Sequence, residues 1–269
     1  MLTNEQVSFF KQDGYLAIKE FWDSRETAAM QAEVSRFQRE GLLRNVTTEG
    51  DGKTHSEYQQ NLQLCPMSNK SGLFRALPYD RRVTQAVSQL IGDPVILHLD
   101  QVFLKPAHHG AGTSWHQDNA YFGLENPAAG TAMWIAVHDA NIANGTLEVI
   151  PDFFEKLLDH SRDPNSDHHI RCYPPEELAV PVELPAGGVI FFSYGTPHCT
   201  RANLTERDRA GAAFHFYNGK YNPSSGFLLE KRVYLTGENK EDGQRAYGEI
   251  VADTWRDEVE KALSTAAVI

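Results

Sequence analysis

From Val95 onwards the chain is a succession of short segments rich in β-branched and aromatic residues, each closed by a Gly- or Pro-bearing turn. Val95–Leu99, Val102–Lys105, Thr131–His138, Thr146–Ile150, Val180–Leu184, Val189–Tyr194 and Gly211–Tyr217 all read as strands. Helical patterns gather before and after this block instead of alternating with it. That arrangement predicts a mainly β (α+β) fold, a double-stranded β-helix of the cupin-like jelly-roll kind, with flanking N-terminal helices and a C-terminal helix.

The flanking helices announce themselves by their ends. Thr3 with Gln6 forms a capping box, Val7 and Phe10 follow, and Gly14 stops the helix. Tyr15–Ile18 reads as a short strand. Asp23 with Glu26 opens a second helix whose apolar stripe is Met30, Val34 and Phe37, with Gly41 at its end. A third runs from Asp80 to Ile91 and stops at Gly92-Asp93-Pro94. In the tail, Val251, Trp255, Val259 and Leu263 recur at four-residue intervals from Glu249 on, which predicts an amphipathic helix packed on the domain or on a second copy of the chain. We expect one domain over residues 1–269: a mostly helical part and polar loop (1–92), a jelly-roll core (93–235) interrupted by an insertion (151–178), and the C-terminal helix (236–269).

Composition narrows the class of partner. A formal net charge of −11 over 269 residues opposes nucleic-acid binding, since phosphates demand a basic surface. No apolar run is long enough to span a bilayer, and the N-terminus is a capped polar helix, not a secretory signal. Three cysteines without a C-x-x-C motif fit a reducing cytoplasm.

Chemistry concentrates in two clusters. In Ser114-Trp115-His116-Gln117-Asp118-Asn119, His116 and Asp118 share one face if the stretch is a strand. His198 lies far downstream. Together the three have the composition of the two-His, one-carboxylate triad that holds non-haem Fe(II). Arg209 follows His198 by eleven residues across the turn-rich Asn203–Asp208, a spacing that suits a hairpin. An Arg there can grip a dicarboxylate bidentately. By alternation Thr200 shares the face of His198, and Gly211 and Ala213 leave space beside Arg209.

On these residues the chain resembles the phytanoyl-CoA dioxygenase family of Fe(II)/2-oxoglutarate oxygenases over most of its length. The resemblance implies iron on His116, Asp118 and His198, and the distal carboxylate of 2-oxoglutarate on Arg209 with help from Thr200. Trp134 stands where that family commonly carries a Trp. It further implies O2 as co-substrate, succinate and CO2 as products, and hydroxylation of an unactivated C–H bond. The carboxylate of Asp118 speaks against halogenation, which in related enzymes needs a small residue there. Lys105 either binds a carboxylate of 2-oxoglutarate or substrate, or is an exposed strand end.

The substrate is expected to be a small polar metabolite and not an acyl-CoA. Candidate contacts are Gln60, Asn61 and Gln63 from the polar loop 44–63, Asn119 and Tyr121 near the metal, and Tyr217 beyond Arg209. That loop is either a solvated meander or a lid. In the insertion, His168 and His169 are adjacent and would point opposite ways in a strand, so a solvated loop at the entrance is expected over a second metal site. Two other readings remain: a cupin-type metalloenzyme without 2-oxoglutarate, and a jelly-roll binding protein without catalysis.

Overall fold

Thr3 and Asp23 each close a capping box in the computed structural model, which describes residues 1–224 and 232–267. They open α1 (Asn4–Asp13) and α2 (Ser24–Arg39). A five-residue helix, α3 (Gly72–Ala76), is too short to show periodicity and was not anticipated. Asp80 caps α4 (Arg81–Ile91), and a single turn, α5 (Asn119–Phe122), follows later in the chain. The tail holds α6 (Gln244–Tyr247) and α7 (Trp255–Ala266). The last helix therefore starts later than its stripe suggested, because Val251 N–H donates to Asp242 O and folds the approach back.

The strands are β1 (Tyr15–Ile18), β2 (Arg44–Asn45), β3 (Leu62–Leu64), β4 (Val95–Lys105), β5 (Thr113–His116), β6 (Gly130–Ala136) and β7 (Leu147–Val149). They continue with β8 (Ser161–Arg162), β9 (Ile170–Arg171), β10 (Val180–Val182), β11 (Val189–Ser193), β12 (His198–Thr200), β13 (Arg209–Asn218) and β14 (Val233–Tyr234). The major sheet runs β1-β11-β6-β13-β4-β3-β2, with β14 also on β4, and the minor sheet runs β10-β7-β12-β5. Among the described residues every pairing of these strands is antiparallel. Trp134, Phe192 and Ala213 of the major sheet pack with Leu147 and Val149 of the minor one. This is the expected jelly roll. β4 is a single eleven-residue strand where the sequence suggested two.

Alternation along β13 divides the work of the two faces. Ala210, Ala212, Phe214 and Phe216 point outward into the main core with Met30, Val34 and Phe37 of α2 and Val83 and Val87 of α4. Each of these larger side chains is at most 1% exposed, and burial of each is worth roughly 1.5–3 kcal/mol. α7 lies across α2, where Trp255 Nε1 donates to Glu26 Oε1 at 2.6 Å and Arg82 pairs with the same carboxylate. The apolar stripe of the tail is thus buried within the chain, through Val251, Trp255 and Val259. Among the described residues no helix is long and apolar enough to cross a membrane.

Two local expectations are corrected. His198 and Arg209 do not form a hairpin: β12 belongs to the minor sheet and β13 to the major one, so the connection crosses between sheets. Asn203 pins that crossing, its side-chain amide donating to Lys105 O and Arg207 O. The second correction concerns residues 151–178. They are not a solvated loop, because Asp163, Ser166 and His169 are buried and β9 lies against β5 through Cys172 N–H to Trp115 O. The polar loop is joined to them: Thr47 bridges Ser166, Thr48 N–H donates to Asn165 O, and Arg44 pairs with Asp167.

Candidate metal centre and anion site

His116 and His198 face each other directly across the β5–β12 ladder. Their ring centroids are 4.2 Å apart. Each Nδ1 lies on a backbone carbonyl two residues earlier, Ser114 O at 2.8 Å and Thr196 O at 2.9 Å. Those contacts place the proton on Nδ1 and leave Nε2 free as a ligand atom. Asp118 completes the set, its Oδ1 lying 3.8 Å from His116 Nε2 and 3.7 Å from His198 Nε2. All three ligand atoms lie within 4.8 Å of one another, a group that can hold one metal ion.

Asp118 does not reach this point by strand alternation. β5 ends at His116, and Asp118 has helical backbone angles at the head of α5. The chain is turned there by Gln117, whose fully buried side chain donates to Lys156 O and Gly195 O and accepts from Leu158 N–H. Burial opposes the charge on Asp118, but His215, His198 and His116 bring its carboxyl well below the usual range. Burial and the neighbouring His116 push His198 down to about 3, and burial lowers His116 as well. Two neutral imidazoles and one carboxylate are the protonation states a divalent ion requires.

His215 was not singled out as a site residue. It is 3% exposed on the inner face of β13, with Nε2 3.3 Å from Asp118 Oδ2. The signal was present in the sequence, since alternation puts His215 on the face of Arg209. His169, from the insertion, stacks parallel to His116 at 6.4 Å and 7°. Burial, with His168 beside it, holds His169 well below its ordinary pKa.

At the other end of the interior, Arg209 and Lys105 are cross-strand partners on β13 and β4. Both are 1% exposed, which removes the reading of Lys105 as an exposed strand end. Lys105 Nζ donates to Thr200 Oγ1 at 2.8 Å and to Arg201 O. Arg209 donates to Asn144 O and Gly145 O and lies 5.6 Å over the Trp134 ring. Burial brings Arg209 down to about 10, and burial with the nearby Arg209 charge brings Lys105 well below its ordinary value. Among the described residues neither cation has a carboxylate partner. Two like charges forced together out of water call for an anion between them. The space expected at Gly211 is filled by Trp134: a Cβ there would lie 2.3 Å from its Cζ2.

The remaining candidates divide. Tyr121 lies edge-on to His116 at 6.0 Å, and its hydroxyl accepts from Ile170 N–H. Asn61 is 1% exposed and lines a cavity beside β5. Gln63 donates to Gln101 Oε1 at 2.9 Å. Along β4 only Leu99, Gln101 and Phe103 are partly accessible, and they pair with His215, Ala213 and Gly211 on the inner face. Gln60 is tied by its backbone to His109 and Ala111. The Asn119 amide is committed to Leu124 N–H and O, and Tyr217 packs with Phe122, Leu124 and Tyr194.

Comparison with known proteins agrees with this geometry. The chain is 26% identical over 244 residues to an ectoine dioxygenase of Bordetella parapertussis, covering 82% of this chain and 77% of that protein. The structure is similar to that of EctD from S. alaskensis with 2-oxoglutarate and 5-hydroxyectoine, with a TM-score of 0.67 at 20% identity over 89% and 85% of the two chains. It also resembles the epimerase SnoN in complex with Fe3+, alpha ketoglutarate and nogalamycin RO, with a TM-score of 0.67 at 21% identity over 87% and 95%. The family model for phytanoyl-CoA dioxygenase (PhyH) matches residues 10–211, a span that contains the His–Asp–His group and both buried cations. The chain belongs to the phytanoyl-CoA dioxygenase family.

Proposed function

We propose that this protein is an iron(II)- and 2-oxoglutarate-dependent oxygenase that hydroxylates an unactivated C–H bond of a small polar metabolite. The observation that carries the reading is the pair of buried, carboxylate-free cations, Arg209 and Lys105, in the same interior as His116, Asp118 and His198. A metalloenzyme without 2-oxoglutarate, or a binding protein, leaves those cations without a purpose. Iron bound at the triad supplies O2 activation coupled to oxidative decarboxylation of 2-oxoglutarate to succinate and CO2.

The chain's own residues divide the remaining tasks. His116, Asp118 and His198 would hold the ion through two imidazole nitrogens and one carboxylate oxygen. Arg209 takes the distal carboxylate in a bidentate grip, with Lys105 and Thr200 beside it. Trp134, with its ring centroid 5.6 Å from Arg209 Cζ, packs beside the guanidinium and keeps water from it. His169, Tyr121 and the joined loops 44–63 and 151–178 cover the metal side.

His215 Nε2 stands 3.3 Å from Asp118 Oδ2 while Oδ1 faces the two imidazoles, which places His215 to orient the carboxylate. Replacing His215 by Ala is expected to lower iron affinity by about 10–100-fold, with partial recovery in His215→Gln. An equilibrium titration of the metal reads this directly, and an unchanged affinity removes the role.

The polarity of the substrate is supported by β4, where Gln101 stands between Leu99 and Phe103 on the face of Arg209 and accepts from Gln63 Nε2. Of the nearby cations, Arg44 pairs with the Asp167 carboxylate, and Arg162 donates to the main-chain oxygens of Asp167 and His169. The test is a metabolite panel scored by substrate-stimulated succinate release, with the product gaining one oxygen. Stimulation by fatty acyl-CoA and by no small polar compound overturns the assignment.

A further inference from the structure

A cavity of about 330 Å³ lies between the polar loop, the insertion and β5. Asn61, Thr113, Ser114, Asp163, Ser166 and His169 line it, and Thr200 stands at its border. It abuts the metal centre, because His169 stacks on His116 and Ser114 O holds the Nδ1 proton of His116. One buried acceptor of its wall has no hydrogen-bond partner, and one carboxylate has no ion-pair partner among the described residues. Asn61 is 1% exposed; its Nδ2 donates to Thr113 Oγ1 at 3.1 Å, while its buried Oδ1 has no partner. Asp163 is 2% exposed, and among the described residues its carboxylate accepts one hydrogen bond, from Asn165 N–H at 3.0 Å.

No cation in the wall answers Asp163. Arg201 contributes to the lining, but its guanidinium is engaged by Glu148 and Glu176 and lies over the Trp115 ring. A carboxylate withdrawn from water without a counter-charge is costly, and so is an unpaired amide oxygen. Both lacks are acceptor lacks. An anionic group is repelled by Asp163, and a divalent cation needs more oxygen ligands than one carboxylate and one amide supply. A neutral hydroxyl satisfies Asn61 and leaves the charge unanswered.

We propose that this cavity receives a protonated amine of the substrate, bound by the Asp163 carboxylate and Asn61 Oδ1. The proposal rests on the triad being the oxygenase centre, and it narrows the small polar metabolite to an amine-bearing one. The anion end at Arg209 and Lys105 and the cation end at Asp163 then sort the two ligands by charge: 2-oxoglutarate is rejected at one and the amine at the other.

The experiment uses the full chain loaded with Fe(II) and 2-oxoglutarate without oxygen, at constant ionic strength. The probes are matched pairs: ethanolamine against ethylene glycol, β-alanine against hydroxypropionate, and putrescine against butanediol. The expected result is a rise in melting temperature with at least one amine and an apparent affinity about tenfold or more above that of its hydroxyl partner. Asp163→Asn, which keeps an acceptor for Asn165 N–H, should abolish the preference, and Asn61→Asp should enlarge it. Equal response to both members of every pair, absence of any response, or an amine preference that survives in Asp163→Asn overturns the proposal. The oxygenase reading is scored separately, by succinate release from the wild type in oxygen. If amines bind selectively and no succinate forms, that reading fails and the amine site stands.

Discussion

Replacing Asp118 by Ala is expected to abolish 2-oxoglutarate turnover and to leave the protein folded. The first half follows from the ligand set: removing the single carboxylate leaves two neutral imidazoles, which hold a hard divalent ion weakly. The second half follows from the local backbone. Asp118 sits at the head of α5 with helical angles and no side-chain capping bond, so Ala satisfies the same turn. Its carboxylate faces His116, His198 and His215, and its side chain makes no capping bond to the main chain. Loss of activity therefore reports loss of metal and not loss of fold. Metal content, succinate release and the melting curve, measured side by side, check this. A chelator applied to the native protein should reproduce the variant, and full activity in either case removes iron from the mechanism.

Arg209→Ala is expected to raise the 2-oxoglutarate requirement by the equivalent of ~2–5 kcal/mol of binding, the cost of losing one partner of a buried charge pair. Arg209→Lys recovers a fraction only, because an ammonium cannot reproduce the two-pronged contact or the approach of the guanidinium to the Trp134 ring. Lys105 limits the damage. Its pKa is held down in part by the Arg209 charge, so removing that charge lets Lys105 carry its proton more firmly. The variant also strips Asn144 O and Gly145 O of their donor, so stability must be followed beside kinetics. The measurement is the 2-oxoglutarate concentration dependence of succinate release. An unchanged dependence removes Arg209 from the site.

What the sequence made legible is what local physics decides. The capping boxes at Thr3 and Asp23, the stripe of Met30, Val34 and Phe37, and the two faces of β13 rest on periodicity and on partners a few residues away. The elements of the candidate site that stayed hidden rest on contacts between distant segments. Lys105 looks like a strand end until Thr200 and Arg201 O, 95 and 96 residues away, are seen to hold it inside. Asp118 looks like a strand residue because spacing cannot show that Gln117 staples the insertion and turns the chain. Asp163 and His169 lie in a stretch whose polarity suggests solvent, and only the joining of two loops buries them. His215 is intermediate: its face was legible, but its partner was not.

The ladder between β5 and β12 sets an uneven tolerance to changes in chain length. The separation of the two imidazoles is a property of sheet register, since His198 and His116 are direct cross-strand partners. Adding or removing one residue inside Thr113–His116 or His198–Thr200 reverses which side chains point inward, so one imidazole would exchange places with Trp115 or Cys199. The stretch 151–178 is under no such constraint at its outer turns, because neither imidazole takes its position from it. Changes of length in that stretch are therefore expected to be tolerated at its outer turns and not at Lys156, Leu158, Asp163 or His169, which are tied to Gln117 or buried, while the two short strands keep their length to the residue.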